Sequence, residues 1–97
     1  MTYDHQNIFA KILRSELPYS TIFEDNEVLA FLDIAPQAPV HVLVIPKGEY
    51  KSLDDFTANA SIEVVGRFFS RVSKIARDLD LAESGYRIIA NTGDDGC

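Results

Sequence analysis

The stretch TIFEDNEVLAFLDIAPQAPVHVLVIPK, residues 21–47, decides the fold of this chain. It contains three short apolar runs that are bounded by residues typical of turns. The first two runs, residues 21–24 and 27–32, are separated only by Asp25 and Asn26. This spacing predicts a β-hairpin with a tight turn.

The third run, residues 40–45, is apolar on both alternating faces except at His41 and is followed by Pro46. Such a pattern predicts a central, buried strand. The preceding residues 33–39 contain two prolines and are excluded from a central strand. Asp33 and His41 are therefore expected at the two ends of one loop between adjacent strands.

Helical spacing appears on both sides of these strands. After Asn7, a candidate N-cap, apolar residues recur at helical intervals until Pro18, which predicts a short helix. A longer helix is predicted from Thr57 to about Leu79, where an amphipathic stripe indicates one buried face. The stripe consists of Ile62, Val65, Phe69, Val72, Ile75, Ala76 and Leu79. Residues 86–91 are predicted to form a last strand.

The order of these elements predicts an α+β fold, with an antiparallel sheet of four strands, one short helix and one long helix. A chain of 97 residues and 10.8 kDa has room for one domain, residues 1–97. The last strand is expected to leave an open sheet edge, which makes further association plausible.

Composition and charge restrict the class of partner and the compartment. The net charge is −6 and the basic residues are scattered, which disfavours nucleic acids but not a single nucleotide. One cysteine, Cys97, excludes an internal disulfide, and no metal-ligand spacing is present. The polar N-terminus lacks the pattern of a secretory signal, and no apolar run approaches the ~18 residues of a membrane span. We therefore expect a cytoplasmic protein.

Local patterns alone do not establish a functional role for any candidate site residue, because each also has a simple structural interpretation. His41 fits a partly buried histidine bonded to loop carbonyls, and Asp33 fits either a turn-capping residue or an acceptor for the vicinal hydroxyls of a ribose. Phe9 and Phe31 fit plain core positions, or base stacking if both line an open cleft. The segment 91–96 fits a solvated turn or a backbone nest for an anion.

The run NIFAKILRSELPYSTIFEDNEVLAFLDIAPQAPVHVLVIPK, residues 7–47, resembles the histidine-triad superfamily, in particular the Hint branch of nucleotide-binding hydrolases. The likeness continues through GYRIIANTGDDG, residues 85–96. The resemblance implies a subunit with a five-stranded antiparallel sheet that pairs into a two-fold dimer. It also implies binding of purine nucleotides and hydrolysis of nucleoside phosphoramidates without a metal or cofactor.

The resemblance also implies roles for individual residues. Asp33 would hold the ribose hydroxyls, His41 would border the active site, and Asn91 would approach the phosphate. The implied base pocket is apolar and consists of Ile8, Phe9, Ile12, Phe31, Leu32 and Ile34.

In the family, the middle histidine of a His-x-His-x-His strand attacks the α-phosphorus and forms a nucleotidyl-histidine. That motif is missing from these 97 residues, and Cys97 stands where a second glycine is usual. We therefore expect a shortened, catalytically inactive form of a phosphoramidase that has no catalytic residue of its own. The alternatives are a nucleoside-binding module without catalysis and a truncated fragment with no native role.

Overall fold

The computed structural model describes residues 20–33, 39–93 and 95 of the chain. The chain is divided into two compact units, Met1–Glu49 and Tyr50–Cys97. Among the described residues, all strands lie in the first unit and both α-helices lie in the second. The short helix predicted after Asn7 lies outside the described residues, and the single domain expected for residues 1–97 remains a prediction.

The first unit contains an antiparallel sheet of three strands, β1 (Thr21–Glu24), β2 (Val28–Leu32) and β3 (Val42–Pro46), in the order β1-β2-β3. This confirms the predicted hairpin and the predicted α+β class. The prediction that the third run forms the central strand is wrong for the described sheet. There β2 is central and almost wholly buried, whereas β3 is only partly buried because it pairs with β2 alone.

The turn between β1 and β2 is built around the Asp25 side chain. Its Oδ1 accepts hydrogen bonds from the backbone amides of Glu27 and Val28, both at 2.8 Å. The Asp25 amide in turn donates to the Val28 carbonyl at 3.0 Å. A short acidic side chain can satisfy two loop amides in this way, which is why aspartate is favoured in such turns.

Pairing of β2 with β3 creates an apolar sheet face. Leu29 pairs with Ile45 and Phe31 pairs with Leu43, and these four side chains pack together as one cluster. Since successive side chains of a strand point to opposite faces, the neighbouring Leu32 belongs to the other face.

The second unit contains two helices, α1 (Leu53–Asn59) and α2 (Ile62–Asp78), where one helix from Thr57 to Leu79 was predicted. The prediction of one continuous helix is wrong because each helix has its own N-cap. Ser52 Oγ accepts from the Asp55 amide at 3.0 Å, and Ser61 Oγ accepts from the Val64 amide at 3.1 Å. Within the described residues, no helix has the length and apolar character that crossing a membrane requires.

The buried face of α2 differs from the predicted stripe. Phe68, Ile75 and Ala76 are buried, whereas Ile62 is 86% exposed and Phe69 is also exposed. Phe68 was not expected on the stripe. It is buried because its ring packs edge-on against Phe56 of α1, with ring centroids 5.2 Å apart.

Helix α2 ends in a Schellman motif. The amide of Leu81 donates to the Ala76 carbonyl at 2.9 Å, and the amide of Asp80 donates to the Arg77 carbonyl at 3.0 Å. Asp80 has a φ of 60°, a left-handed conformation that is usually taken by glycine at this position.

The predicted last strand, residues 86–91, forms no strand in the described part of the chain, which leaves three strands there instead of four. Ile88 and Ile89 are 60% and 64% exposed. Their β-branched side chains favour an extended backbone, but a strand also requires a hydrogen-bonded neighbour, and no described segment pairs with this one.

Candidate functional site

Asp33 and His41 meet at the end of the β2–β3 hairpin. The last pair in the ladder is Leu32 with Val42, and the Asp33 amide donates to the His41 carbonyl at 3.1 Å. This bond extends the ladder by one further pair. Nδ1 of His41 lies 3.3 Å from Oδ2 of Asp33, within ion-pairing distance. The two side chains are 31% and 17% exposed, so the pair is shielded but still reachable from solvent.

The pair continues the apolar face of the sheet. In the antiparallel register, Asp33 follows Phe31 on the same face of β2, and His41 precedes Leu43 on the same face of β3. A carboxylate next to an imidazole therefore adjoins the Leu29, Phe31, Leu43 and Ile45 cluster. A carboxylate accepts hydrogen bonds and an imidazole can donate or accept, so this end of the sheet can recognise a ligand that has hydroxyl groups beside an apolar portion.

The predicted base-pocket residues differ in burial and in sheet face, and only two of them are among the described residues. Phe31 is 3% exposed and belongs to the core, which fits the simpler interpretation of this residue as a core position. Leu32 is exposed and lies on the opposite sheet face from Phe31 and Asp33. The pocket roles of both remain predictions. Ile8, Phe9, Ile12 and Ile34 lie outside the described residues.

Asn91, which the family resemblance places near the phosphate, belongs to the second unit. Asn91 is exposed, in a segment without strand pairing. Gly93 adopts a φ of 65°, the left-handed conformation that the predicted anion nest requires of a glycine. Asp94 and Gly96, which would complete that nest, lie outside the described residues. Both the nest and the role of Asn91 remain predictions.

Sequence reasoning placed Asp33 and His41 at two ends of a loop but missed the contact between their side chains. The simpler interpretation of His41 predicted that its ring nitrogens bond to carbonyl groups of the loop. The signal for the contact was the strand register, because pairing Leu32 with Val42 makes Asp33 and His41 the next opposing residues. Among the described residues, no group of three or more His, Cys, Asp or Glu side chains is placed to hold a metal ion.

Comparison with known proteins identifies the family of this chain. The sequence model of the HIT domain matches residues 14–97. A 13.2 kDa HIT-like protein of Azospirillum brasilense is 50% identical over 94 residues, which cover 97% of this chain and 77% of that protein. The purine nucleoside phosphoramidase of Escherichia coli K12 is 41% identical over 91 residues, covering 94% of this chain and 76% of the enzyme.

Among solved structures, a histidine triad protein from Clostridium difficile superposes with a TM-score of 0.83 at 38% identity. The superposition covers 98% of this chain and 82% of that protein. These matches confirm the resemblance carried by residues 7–47 and 85–96. The chain belongs to the HIT domain family.

Proposed function

We propose that this protein binds a purine nucleoside or nucleotide at the end of the β2–β3 hairpin, with Asp33 as the ribose acceptor. The observation that carries the proposal is the Asp33 carboxylate, partly exposed and 3.3 Å from His41, at the end of an apolar sheet face. Such a carboxylate can accept hydrogen bonds from both hydroxyls of a ribose. The 41% identity to a purine nucleoside phosphoramidase supports a purine as the base.

The remaining contacts of the proposed site follow from the chemistry of a nucleotide. The base would lie among apolar side chains, and Asn91 would donate a hydrogen bond to a phosphate oxygen. The apolar set is Ile8, Phe9, Ile12, Phe31, Leu32 and Ile34. Because Phe31 is buried, we expect it to support the pocket wall more than to stack openly on the base.

The reaction that we propose for an enzyme built on this site is hydrolysis of a nucleoside 5′-phosphoramidate. A histidine nitrogen attacks the α-phosphorus, the phosphorus–nitrogen bond of the substrate breaks, and the amine leaves with a proton. Water then cleaves the nucleotidyl-histidine and releases the nucleotide. The 97 residues contain only His5 and His41 and no His-x-His-x-His run. We therefore propose that a polypeptide of these residues alone binds nucleosides but lacks this turnover.

Calorimetric titration of the 97-residue polypeptide with adenosine and with adenosine monophosphate tests the binding proposal. We expect adenosine to bind and the 5′-phosphate to add little affinity. No adenosine binding by a folded protein would contradict the nucleoside site. A far higher affinity for the monophosphate would contradict the weak contribution assigned to the phosphate.

The catalytic part is tested separately with adenosine 5′-phosphoramidate. The expected result is no release of ammonia above the uncatalysed rate by protein whose intact mass confirms 97 residues. Measurable turnover that persists through purification would show that these residues contain a sufficient catalytic group, and His41 would then be the first residue to substitute.

We also propose that the protein is a cytoplasmic homodimer. A single cysteine among 97 residues fits a reducing compartment. Sedimentation equilibrium across a range of concentrations tests the dimer, and a stable monomer would contradict it.

A further inference from the structure

We propose that His41 is a positioning residue that sets the sugar selectivity of the site. By holding the Asp33 carboxylate in one orientation, His41 would favour ribonucleosides over 2′-deoxyribonucleosides. The inference rests on the proposed nucleoside site at Asp33.

His41 restrains Asp33 at two points. Its backbone is fixed by the amide bond to the His41 carbonyl at 3.1 Å. Its carboxylate has the His41 ring as a neighbour, with Nδ1 3.3 Å from Oδ2. Both of these restraints come from His41, which the register of β2 and β3 holds opposite Asp33. The orientation of the carboxylate is therefore coupled to the identity of the side chain at position 41.

That orientation matters for a vicinal diol more than for a single hydroxyl. The two ribose hydroxyls can donate to a carboxylate together only when the plane of the carboxylate faces them. Each carboxylate oxygen has two lone pairs, so Oδ2 can accept from His41 Nδ1–H and still accept from a hydroxyl. A 2′-deoxyribose offers one of the two hydroxyls and gains less from a fixed carboxylate. Loss of the His41 contact should therefore reduce ribose affinity selectively.

Partial burial strengthens this effect. Asp33 is 17% exposed and His41 is 31% exposed, so water competes less well for the carboxylate than at an open surface. A hydrogen bond between charged or polar groups in such a place contributes more to orientation than the same contact in full solvent.

The experiment compares the ratio of adenosine to 2′-deoxyadenosine affinity in the 97-residue chain and three variants. His41→Ala removes the donor, and His41→Gln displaces it toward the position of Nε2. His41→Asn keeps an amide nitrogen near the position of Nδ1. We expect the affinity ratio to fall about threefold to tenfold in the first two variants, the range that corresponds to one net hydrogen bond. In His41→Asn it should stay within about twofold of the wild-type ratio.

A second substitution separates positioning from a general structural effect. In an Asp33→Asn background, His41→Ala should leave the affinity ratio unchanged, because the carboxylate through which His41 acts is gone. Equal losses of adenosine and 2′-deoxyadenosine affinity in the single His41→Ala variant would overturn the inference. So would a wild-type ratio in a folded His41→Ala variant. If that variant does not fold, His41→Gln decides by the same criteria.

Failure of the inference is distinguishable from failure of the proposed function. A folded wild-type chain that binds neither nucleoside removes the site itself. If the wild-type chain binds adenosine but substitutions at position 41 leave the ratio of adenosine to 2′-deoxyadenosine affinity unchanged, only the role of His41 is contradicted.

Discussion

The Asp33 amide donates to the His41 carbonyl one pair beyond the end of the β2–β3 ladder, and this bond brings the carboxylate and the imidazole to 3.3 Å. The separation of the two side chains is thus set by the strand register. A substitution that preserves the register should change the chemistry of the pair without moving its backbone.

Asp33→Asn should weaken adenosine binding about tenfold or more, because hydrogen bonds to a charged acceptor contribute about 1.5–3 kcal/mol. The change is nearly isosteric, so the sheet should be retained. Calorimetric titration gives the affinity, and far-ultraviolet circular dichroism checks the fold.

Asp54→Asn is the matched control for Asp33→Asn. It removes the same charge from an exposed residue in the first turn of α1, so it tests whether a change of net charge alone alters binding. We expect wild-type adenosine affinity. Equal weakening by the two substitutions would remove Asp33 from the site.

Phe68→Ala should lower the free energy of unfolding by about 3–5 kcal/mol, the usual cost of truncating a buried aromatic residue. Phe68 is buried and its ring packs against both Phe56 and Phe69. Ile62→Ala, in the same helix, should change stability by less than about 0.5 kcal/mol because Ile62 is 86% exposed. Urea denaturation measures both. A larger effect at Ile62 would favour burial of the predicted stripe that contains it.

Asp80→Gly should stabilise the protein by up to about 1 kcal/mol. Asp80 occupies the left-handed position of the Schellman motif with a φ of 60°, where a Cβ atom is unfavourable and glycine is not. Asp80→Ala is the control, since it retains the Cβ atom and should bring no such gain. Thermal unfolding of the three proteins measures the order, and greater stability of Asp80→Ala than of Asp80→Gly would refute the explanation.

The stability of α1 should depend on pH through Asp55. The pKa of this carboxyl lies below its ordinary value of 3.8 because the Lys51 backbone amide donates to it at 3.0 Å, and the Asn59 side-chain amide also donates to it, at 2.7 Å. A pKa that is lower in the folded state means that the ionised form favours folding. Its contribution is complete above the unfolded value and is lost as pH falls through the folded pKa.

The measurement for Asp55 is the free energy of unfolding of the wild type and of Asp55→Asn as a function of pH. We expect a constant difference from about pH 7 to pH 5 and a shrinking difference below about pH 3.8, where the carboxyl of the unfolded chain becomes protonated while that of the folded protein is still ionised. Asn59→Ala removes one of the two donors, so the folded pKa should move back toward 3.8. The decline should still begin near pH 3.8, but it should be smaller and should be complete at a higher pH than in the wild type. A difference independent of pH would contradict this role.

Local chemistry predicted the strands better than the helices. Asp25 and Asn26 marked the hairpin because a turn is specified by residues adjacent in sequence. The periodic stripe from Thr57 to Leu79 did not reveal the break between α1 and α2, since periodicity is insensitive to one interrupted turn. The N-cap at Ser61 carried that information.

Other features depend on contacts between distant parts of the chain. Phe68 and Phe69 are adjacent aromatic residues, and only the ring of Phe56 decides which of them is buried. Residues 86–91 have strand-forming side chains, but a strand needs a partner that local sequence does not supply. Likewise, Asp33 and His41 were candidates individually, while their contact followed only from the register of β2 and β3.

The edge-on packing of Tyr50 against Phe56, with centroids 5.0 Å apart, gives the second unit an optical reporter of its own. The chain has no tryptophan and four tyrosines, so tyrosine dominates its near-ultraviolet absorption. A half-buried tyrosine against an asymmetric aromatic neighbour should give a near-ultraviolet dichroic band that vanishes when packing is lost. Comparison with Tyr50→Phe would assign that band, and loss of side-chain packing around α1 could then be followed separately from loss of the sheet.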